Sequence, residues 1–353
     1  GRLLDDWRLE TLRGLGQIHF GTSRMTEAEE RFREAIALAK EMGAHADYPL
    51  ALGERVRLYY WLGETLFWQH RYEEQIEIAQ EGLGLLAQAV DAKAAPQSIE
   101  TALMNQEIAV GCLSLGDTVR FREYTTRTAA FLRDLPYSEE LRPAYAHVAR
   151  MYAYDEKDLP EAKGWLEALE HKATQYHDLR ALGDVHLSAA GMLRQSGDAA
   201  GAVSRLKKAV EFFARIGDTT HQAWCLGHLG VAYLVMGDLA AAEKSALEQL
   251  EFSQAHDYVE GMATAYWLLS QVRFCQGAGD EAVRAVREAI DLYRKAENRW
   301  SEGGSLYLLG RFLFALGDRS AALEQFIQAV PRVDLETLRQ ETMSLAVVFN
   351  SIE

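Results

Sequence analysis

Leu226-Gly227-His228-Leu229-Gly230-Val231-Ala232-Tyr233 and Leu306-Tyr307-Leu308-Leu309-Gly310-Arg311-Phe312-Leu313 are the stretches whose comparison decides the fold. Superposed on Gly230 and Gly310, they place Leu226 with Leu306, Leu229 with Leu309 and Tyr233 with Leu313. A small residue follows each about one helix later, at Ala242 and Ala322. The same frame places Arg150, Ala190 and Ser270 at equivalent points, so the period is forty residues. A fixed period of this size belongs to a solenoid, in which each unit buries its apolar face only against its neighbours.

Each unit reads as helix, tight turn, helix. The turn carries a Gly-Asp pair at Gly197-Asp198, Gly237-Asp238, Gly279-Asp280 and Gly317-Asp318. Glycine enters the left-handed conformation without a Cβ clash, and the aspartate caps the next helix. Gly116-Asp117 reads as an earlier copy, and Gly217-Asp218 as the end of a second helix. Between turns, Ala202, Leu206, Ala209 and Val210 form a helical stripe, matched by Ala282, Val286, Ala289 and Ile290. Alternating small and large residues let helices approach closely and interlock. No β-type alternation appears, so the expected fold is all-α.

Towards the N-terminus the units loosen. Leu12, Leu15, Gly16, Ala28, Phe32 and Ala35 form one, Tyr59, Leu62, Gly63, Leu66 and Tyr72 the next, and a degenerate third spans 103–131. Pro49, Pro96, Pro136 and Pro143 are read as falling between repeats, and Pro160 as lying in a first helical turn. We therefore expect a single domain over 1–353, with looser repeats in 1–140, regular ones in 141–331 and a terminal helix at 335–349. The opening Gly1 and the apolar run at 346–349 lead us to expect a fragment of a larger protein.

These residues resemble the tetratricopeptide repeat, whose first helix carries Leu-Gly and Tyr and whose second carries Ala, Phe and Ala. Leu309-Gly310, Ala322, Phe326 and Ala329 match it, as do Leu15-Gly16, Ala28, Phe32 and Ala35. The forty-residue period resembles kinesin light chains and the sensor regions of bacterial switch-ATPase regulators related to the maltose-regulon activator. The resemblance implies a right-handed superhelical solenoid of about eight helix pairs. It also implies a non-catalytic protein-interaction and ligand-sensing domain of a bacterial signalling or transcription-regulatory protein, located in the cytoplasm. The alternative is a small-molecule sensor, for example of an oligosaccharide, controlling an attached switch ATPase.

In that register the first helix of each pair lines a concave groove. The groove positions are Tyr60, Trp61, Glu64, Phe67 and Trp68, then His147, Met151 and Tyr154, then Arg194, Trp267, Gln271 and Phe274, then Tyr307, Arg311 and Phe314. Their aromatic character suits apolar peptides and sugar faces. Five aromatics at 59–61 and 67–68 cannot all share one core stripe, because a helix spreads them around its circumference. The positions at which chaperone-binding members hold a terminal carboxylate carry Arg13, Gln17, Tyr60, Glu64 and Ile108 here, so that clamp is not expected.

The 353 residues carry a formal charge of −15, from 52 acidic and 37 basic side chains. No Lys/Arg cluster of the kind that releases counterions from phosphates is present, so nucleic acid is not an expected partner. No run approaches the roughly 20 apolar residues of a membrane span. The expected partners are a protein or peptide, neighbouring domains of the same polypeptide, or a small-molecule effector. Cys112, Cys225 and Cys275 lack metal spacing and read as buried thiols. No phosphate loop, His-Glu-x-x-His, Gly-x-Ser-x-Gly or paired Cys-x-x-Cys occurs, and no cofactor, metal or catalytic residue is expected. Ser204 and Lys207 lie mid-helix on a solvated face, and His171 and His177 are read as surface residues.

Overall fold

A computed structural model describes residues 2–21, 24–43, 52–89, 98–154 and 158–330. Its elements in chain order are α1 (Arg2–Gly21), α2 (Met25–Gly43), α3 (Leu52–Trp68), α4 (Tyr72–Ala89), α5 (Ile99–Ser114) and α6 (Thr118–Leu132). A 3-10 turn (Glu139–Leu141) leads to α7 (Arg142–Tyr154), α8 (Leu159–Tyr176), α9 (Leu179–Gln195), α10 (Ala199–Ile216), α11 (Thr219–Val235) and α12 (Leu239–Ala255). The series ends with α13 (Val259–Cys275), α14 (Gly279–Lys295), α15 (Arg299–Ala315) and α16 (Arg319–Ala329). All these elements are helical, as an all-α repeat fold requires, and helices adjacent in sequence pack together from α1 to α7 and from α9 to α16. The chain divides into two compact units, Gly1–Ala168 and Leu169–Glu353. The terminal helix expected at 335–349 lies outside the described residues, as do Pro49 and Pro96.

The turns are more regular than the Gly-Asp pairs suggest. A left-handed residue recurs every twenty positions: His177, Gly197, Gly217, Asp257, Gly277, Glu297 and Gly317, with Gly237 between. The residue after each starts the next helix. The side chains of Asp178, Asp198, Asp218, Asp238, Asn298 and Asp318 each accept a bond from the backbone N–H three residues on. The same residue's own N–H donates back to the previous helix, as from Asp198 to Leu193 O at 2.8 Å and from Asp238 to Tyr233 O at 3.0 Å. One residue thus ties off the carbonyls of one helix and the N–H groups of the next.

Two expectations are corrected here. The turn glycine of the seventh pair is Gly277, with φ +79°, and Gly279-Asp280 falls inside the first turn of α14, two residues late. The cap position itself is Ala278, which has no side-chain oxygen. Pro143 does not separate repeats. It is the second residue of α7, where a missing N–H has no helical partner to lose. Pro160 sits likewise in α8.

Packing within a pair follows from the small residues. A Cβ at Gly310 would stand 2.6 Å from the Phe326 ring, and one at Gly16 would stand 2.6 Å from Phe32. The ring of the second helix therefore lies flat against first-helix backbone. Ala202, Ala242, Ala282 and Ala322 are all buried at the matching second-helix position. The sixth pair departs from its neighbours. Ala209 and Ala289 are replaced there by Gln249, and Phe213 and Tyr293 by Ser253, all of them buried. Tyr258 stands where the other pairs have an aspartate or asparagine cap, and it lies so close over Gly261 that a Cβ there would be 2.5 Å from its ring. A ring thus stands one turn later, after Ser253, over Gly261.

The cap chemistry makes a direct prediction. Ala278→Asp should supply the absent acceptor and raise the urea midpoint, stabilising the turn by about 1 kcal/mol, and Asp238→Ala should lower it by a similar amount. No change in either variant would mean the side-chain caps contribute nothing to the turns.

Candidate functional site

In the first unit, helix α3 carries the aromatic group singled out from sequence, and the structure divides it. Tyr59 and Tyr60 are buried, at 3% and 5% exposure. Trp61 is half-buried, edge-on to Phe20 at 5.6 Å and near-parallel to Phe32 at 6.4 Å, so it binds α3 to α1 and α2. Phe67 and Trp68 meet edge to face at 5.7 Å, with Tyr72 5.8 Å from Phe67. These last two rings remain half-exposed at the end of α3.

Beside Tyr60 lies a buried carboxyl that the sequence did not reveal. Glu107 of α5 is fully buried, and its Oε2 accepts from Gln75 Nε2 of α4 at 2.8 Å. Gly63 makes room for it, since a Cβ there would be 2.8 Å from that oxygen. Burial first, and then the charge of the half-buried Glu64, push Glu107 well above the ordinary carboxylate range, while the Gln75 bond acts in the opposite sense. Burial and then the carboxylates of Glu64, Glu107 and Glu140 raise the Tyr60 phenol as well. Arg57 links this region to the rest of the unit, pairing with Glu140 at 2.8 Å and Glu100 at 3.6 Å. An open cleft of about 340 Å³ lies nearby between α1 and α3, lined by Asp6, Trp7, Glu10 and Glu54 among others.

In the second unit, Trp267, Gln271 and Phe274 lie on α13, and Tyr307, Arg311 and Phe314 lie on α15. Trp267 is half-buried against core residues of three successive pairs. Phe274 stacks on buried Phe312, with centroids 4.4 Å apart and planes 9° from parallel. Tyr307 meets Phe326 at 5.4 Å, Arg311 is half-buried, and Phe314 is 58% exposed. Gln271 is fully buried, and its Oε1 has no hydrogen-bond partner. Trp267, Phe274 and Tyr307 thus pack half-buried on one core cluster, Arg311 and Phe314 follow Tyr307 along α15, and Gln271 is buried. Arg194 is half-buried on α9, and Tyr154 lies in α7, its side chain outside the described residues.

A second row of residues escaped the sequence reading. Asp218 caps α11 through the His221 N–H at 3.0 Å, takes a further contact from the His221 ring at 3.0 Å, and pairs with Arg180 at 2.8 Å. Burial opposes its charge, but the bonds from His221 and the charge of Arg180 prevail and lower it to about 2. The His221 ring lies 5.0 Å from that of Trp224, whose indole N–H donates to Tyr258 Oη at 2.9 Å. Asn298 Nδ2 donates to Glu260 at 2.8 Å. Had the cap positions been aligned every twenty residues, Tyr258 would have stood out as the one aromatic among them.

Among the described residues no group of three His, Cys, Asp or Glu side chains is placed to hold a metal. No helix among them is long and apolar enough to cross a membrane. Cys112 and Cys225 are buried as expected, but Cys275, the last residue of α13, is half-exposed because its helix ends there.

Glu107 sets a pH dependence whose sign is fixed. A carboxyl raised in the folded state holds its proton after the unfolded chain has lost its own, so stability is full below the ordinary carboxylate pKa and falls as pH rises. Glu107→Gln should preserve the bond with Gln75 and flatten the decline of the thermal midpoint between pH 5 and pH 9. Parallel curves for the two proteins would show that Glu107 is not held protonated.

No family model matches the sequence, and no curated protein matches it. Solved structures do. The apo form of the quorum sensor NprR from B. thuringiensis is 14% identical, aligned over 93% of this chain and 86% of that one, with a TM-score of 0.63. A Rap protein complexed with Competence and Sporulation Factor is 12% identical over 84% and 80%, with a TM-score of 0.58. A signal transduction ATPase with numerous domains and a tetratricopeptide repeat sensor, from Pyrococcus horikoshii, is 14% identical. It aligns over 92% of this chain and 52% of its own length, at a TM-score of 0.52. With its consecutive helix pairs, glycine–phenylalanine packing and these structural likenesses, the chain has the tetratricopeptide-repeat fold.

Proposed function

We propose that this chain is a binding module that takes a peptide or partner protein along the first-helix face of its second unit, as part of a signalling or transcription-regulatory protein. The observation that carries this reading is the paired row Trp267–Phe274 on α13 and Tyr307–Arg311–Phe314 on α15. Its rings are only partly covered by their own repeats, and half-buried Arg311 lies between Tyr307 and Phe314 along α15. Half-exposed rigid rings give a ligand large contact area at little conformational cost, and an arginine adds a directional donor. The half-exposed Phe67 and Trp68, with Glu64 nearby, form the corresponding face of the first unit.

Fold likeness to a quorum sensor, and to a protein crystallised with Competence and Sporulation Factor, supports a sensing role. Likeness to an ATPase with a repeat sensor supports a second reading, in which a small-molecule effector acts on an attached switch ATPase. Both readings are of a non-catalytic domain.

A displayed library of random peptides, selected on the whole chain, tests the first reading. Enriched peptides should bind the wild type and bind Arg311→Ala or Phe314→Ser at least about tenfold more weakly, equivalent to roughly 1.4 kcal/mol, with the thermal midpoint nearly unchanged. Phe314 is exposed enough for its loss to leave the core intact. Peptides that bind all three proteins equally would move the site elsewhere. No enrichment, with discrete small-molecule mass increments in native mass spectrometry after exposure to lysate, would favour the second reading.

A further inference from the structure

Helices α5, α6 and α7 of the first unit meet around a small, partly open void, and three polar atoms of its lining residues have no hydrogen-bond partner. They are Gln106 Oε1, Thr125 Oγ1 and His147 Nδ1, one from each helix. The void has a volume of about 10 Å³ and is otherwise walled mainly by Ala109, Ala144 and Val148. Gln106 and Thr125 are 3% and 2% exposed, so neither can turn to bulk solvent for a partner. Thr128 also borders the void, but its hydroxyl already donates to Tyr124 O at 3.1 Å. Buried polar atoms left unpaired are among the costliest features of a fold, and native structures rarely keep them.

We propose that one water molecule binds in this void, donating to Gln106 Oε1 and His147 Nδ1 and accepting from the Thr125 hydroxyl. The size fits, because about 10–15 Å³ of space swept by a water-sized sphere holds one water and nothing larger. The chemistry fits too. An amide oxygen only accepts, so it takes one proton of the water, and a hydroxyl can donate to the water's lone pair. Burial, and then nearby Arg150, lower His147 to about 4, so its imidazole is neutral and has one bare nitrogen to accept the second proton.

The water therefore fixes a tautomer. With Nδ1 accepting, the ring proton sits on Nε2. His147 then offers a donor, not an acceptor, from the opposite edge of its ring. The repeat register assigns that position to ligand contact, and this last consequence alone rests on the proposed binding function.

A crystal structure of the whole chain, at a resolution that shows ordered water, should contain a peak within about 3.2 Å of all three atoms. Nitrogen-15 spectra at pH 7, with His147 assigned by its loss in His147→Phe, should show a bare Nδ1 and a protonated Nε2. Thr125→Val should shift that Nδ1 resonance and lower the thermal midpoint by about 2–4 °C. Thr128→Val, whose hydroxyl is already satisfied, should leave the resonance in place. A protonated Nδ1, or a well-ordered void with no peak, would overturn the proposal whatever the peptide selection yields.

Discussion

One residue in the left-handed conformation, followed by one that ties two helices together, recurs every twenty positions through the second unit, and the rest of that unit depends on it. The spacing fixes helix length: α9, α11, α13 and α15 are each 17 residues long. Fixed length keeps each helix in phase with its neighbours, so equivalent side chains meet equivalent side chains. The phase is what brings Ala202, Ala242, Ala282 and Ala322 to the same buried place in four consecutive pairs. It also packs Trp267 and Tyr307 against one core cluster and sets Phe274 over Phe312. Glycine is the easiest residue for such a turn, yet His177, Asp257 and Glu297 occupy it in the links between pairs. Their strain, about 1–2 kcal/mol for an ordinary side chain, is offset by the bonds the turn closes, which after Asp257 include no side-chain cap.

The first unit is held differently. Its helices vary from the 20 residues of α1 to the 13 of α7, and α5 buries a run of polar groups beside its alanines. Thr101, Asn105, Gln106 and Glu107 are all nearly inaccessible. Buried polar groups require specific partners, so they define one arrangement of α3 to α7 more narrowly than apolar packing would. Gln75 answers Glu107 directly, and Gly63 gives it space. Burial and the carboxylates around it, Glu64 and Glu140 among them, raise the phenol of buried Tyr60 in this unit. In the second unit Arg194 of α9 and Arg311 of α15 are half-buried.

The sixth pair shows how a repeat tolerates exceptions. Gln249 and Ser253 replace an alanine and an aromatic, and Tyr258 returns the missing ring from the next turn. In that position Tyr258 gives up capping α13 but gains a bond from Trp224 and a contact with Glu260. A lost cap and a new cross-repeat link lie in one residue.

The sequence alone determined the helix pairs, their period and the small-residue stripe, because these depend on local chemistry: helical spacing, left-handed glycine and the capping aspartates. It missed the turns at His177, Asp257 and Glu297 because tertiary closure, not residue preference, holds them left-handed. It assigned Tyr60, Trp61, Phe67 and Trp68 of α3 to the groove, whereas packing buried Tyr60, leaned Trp61 on Phe20 and Phe32, and left Phe67 and Trp68 half-exposed. The partners of Glu107, Arg57 and Asp218 were illegible for a different reason. Residues 32, 83 and 38 positions away in sequence become neighbours only when helices stack. Periodicity is written in each repeat by itself, but a site assembled from several repeats exists only once they are packed.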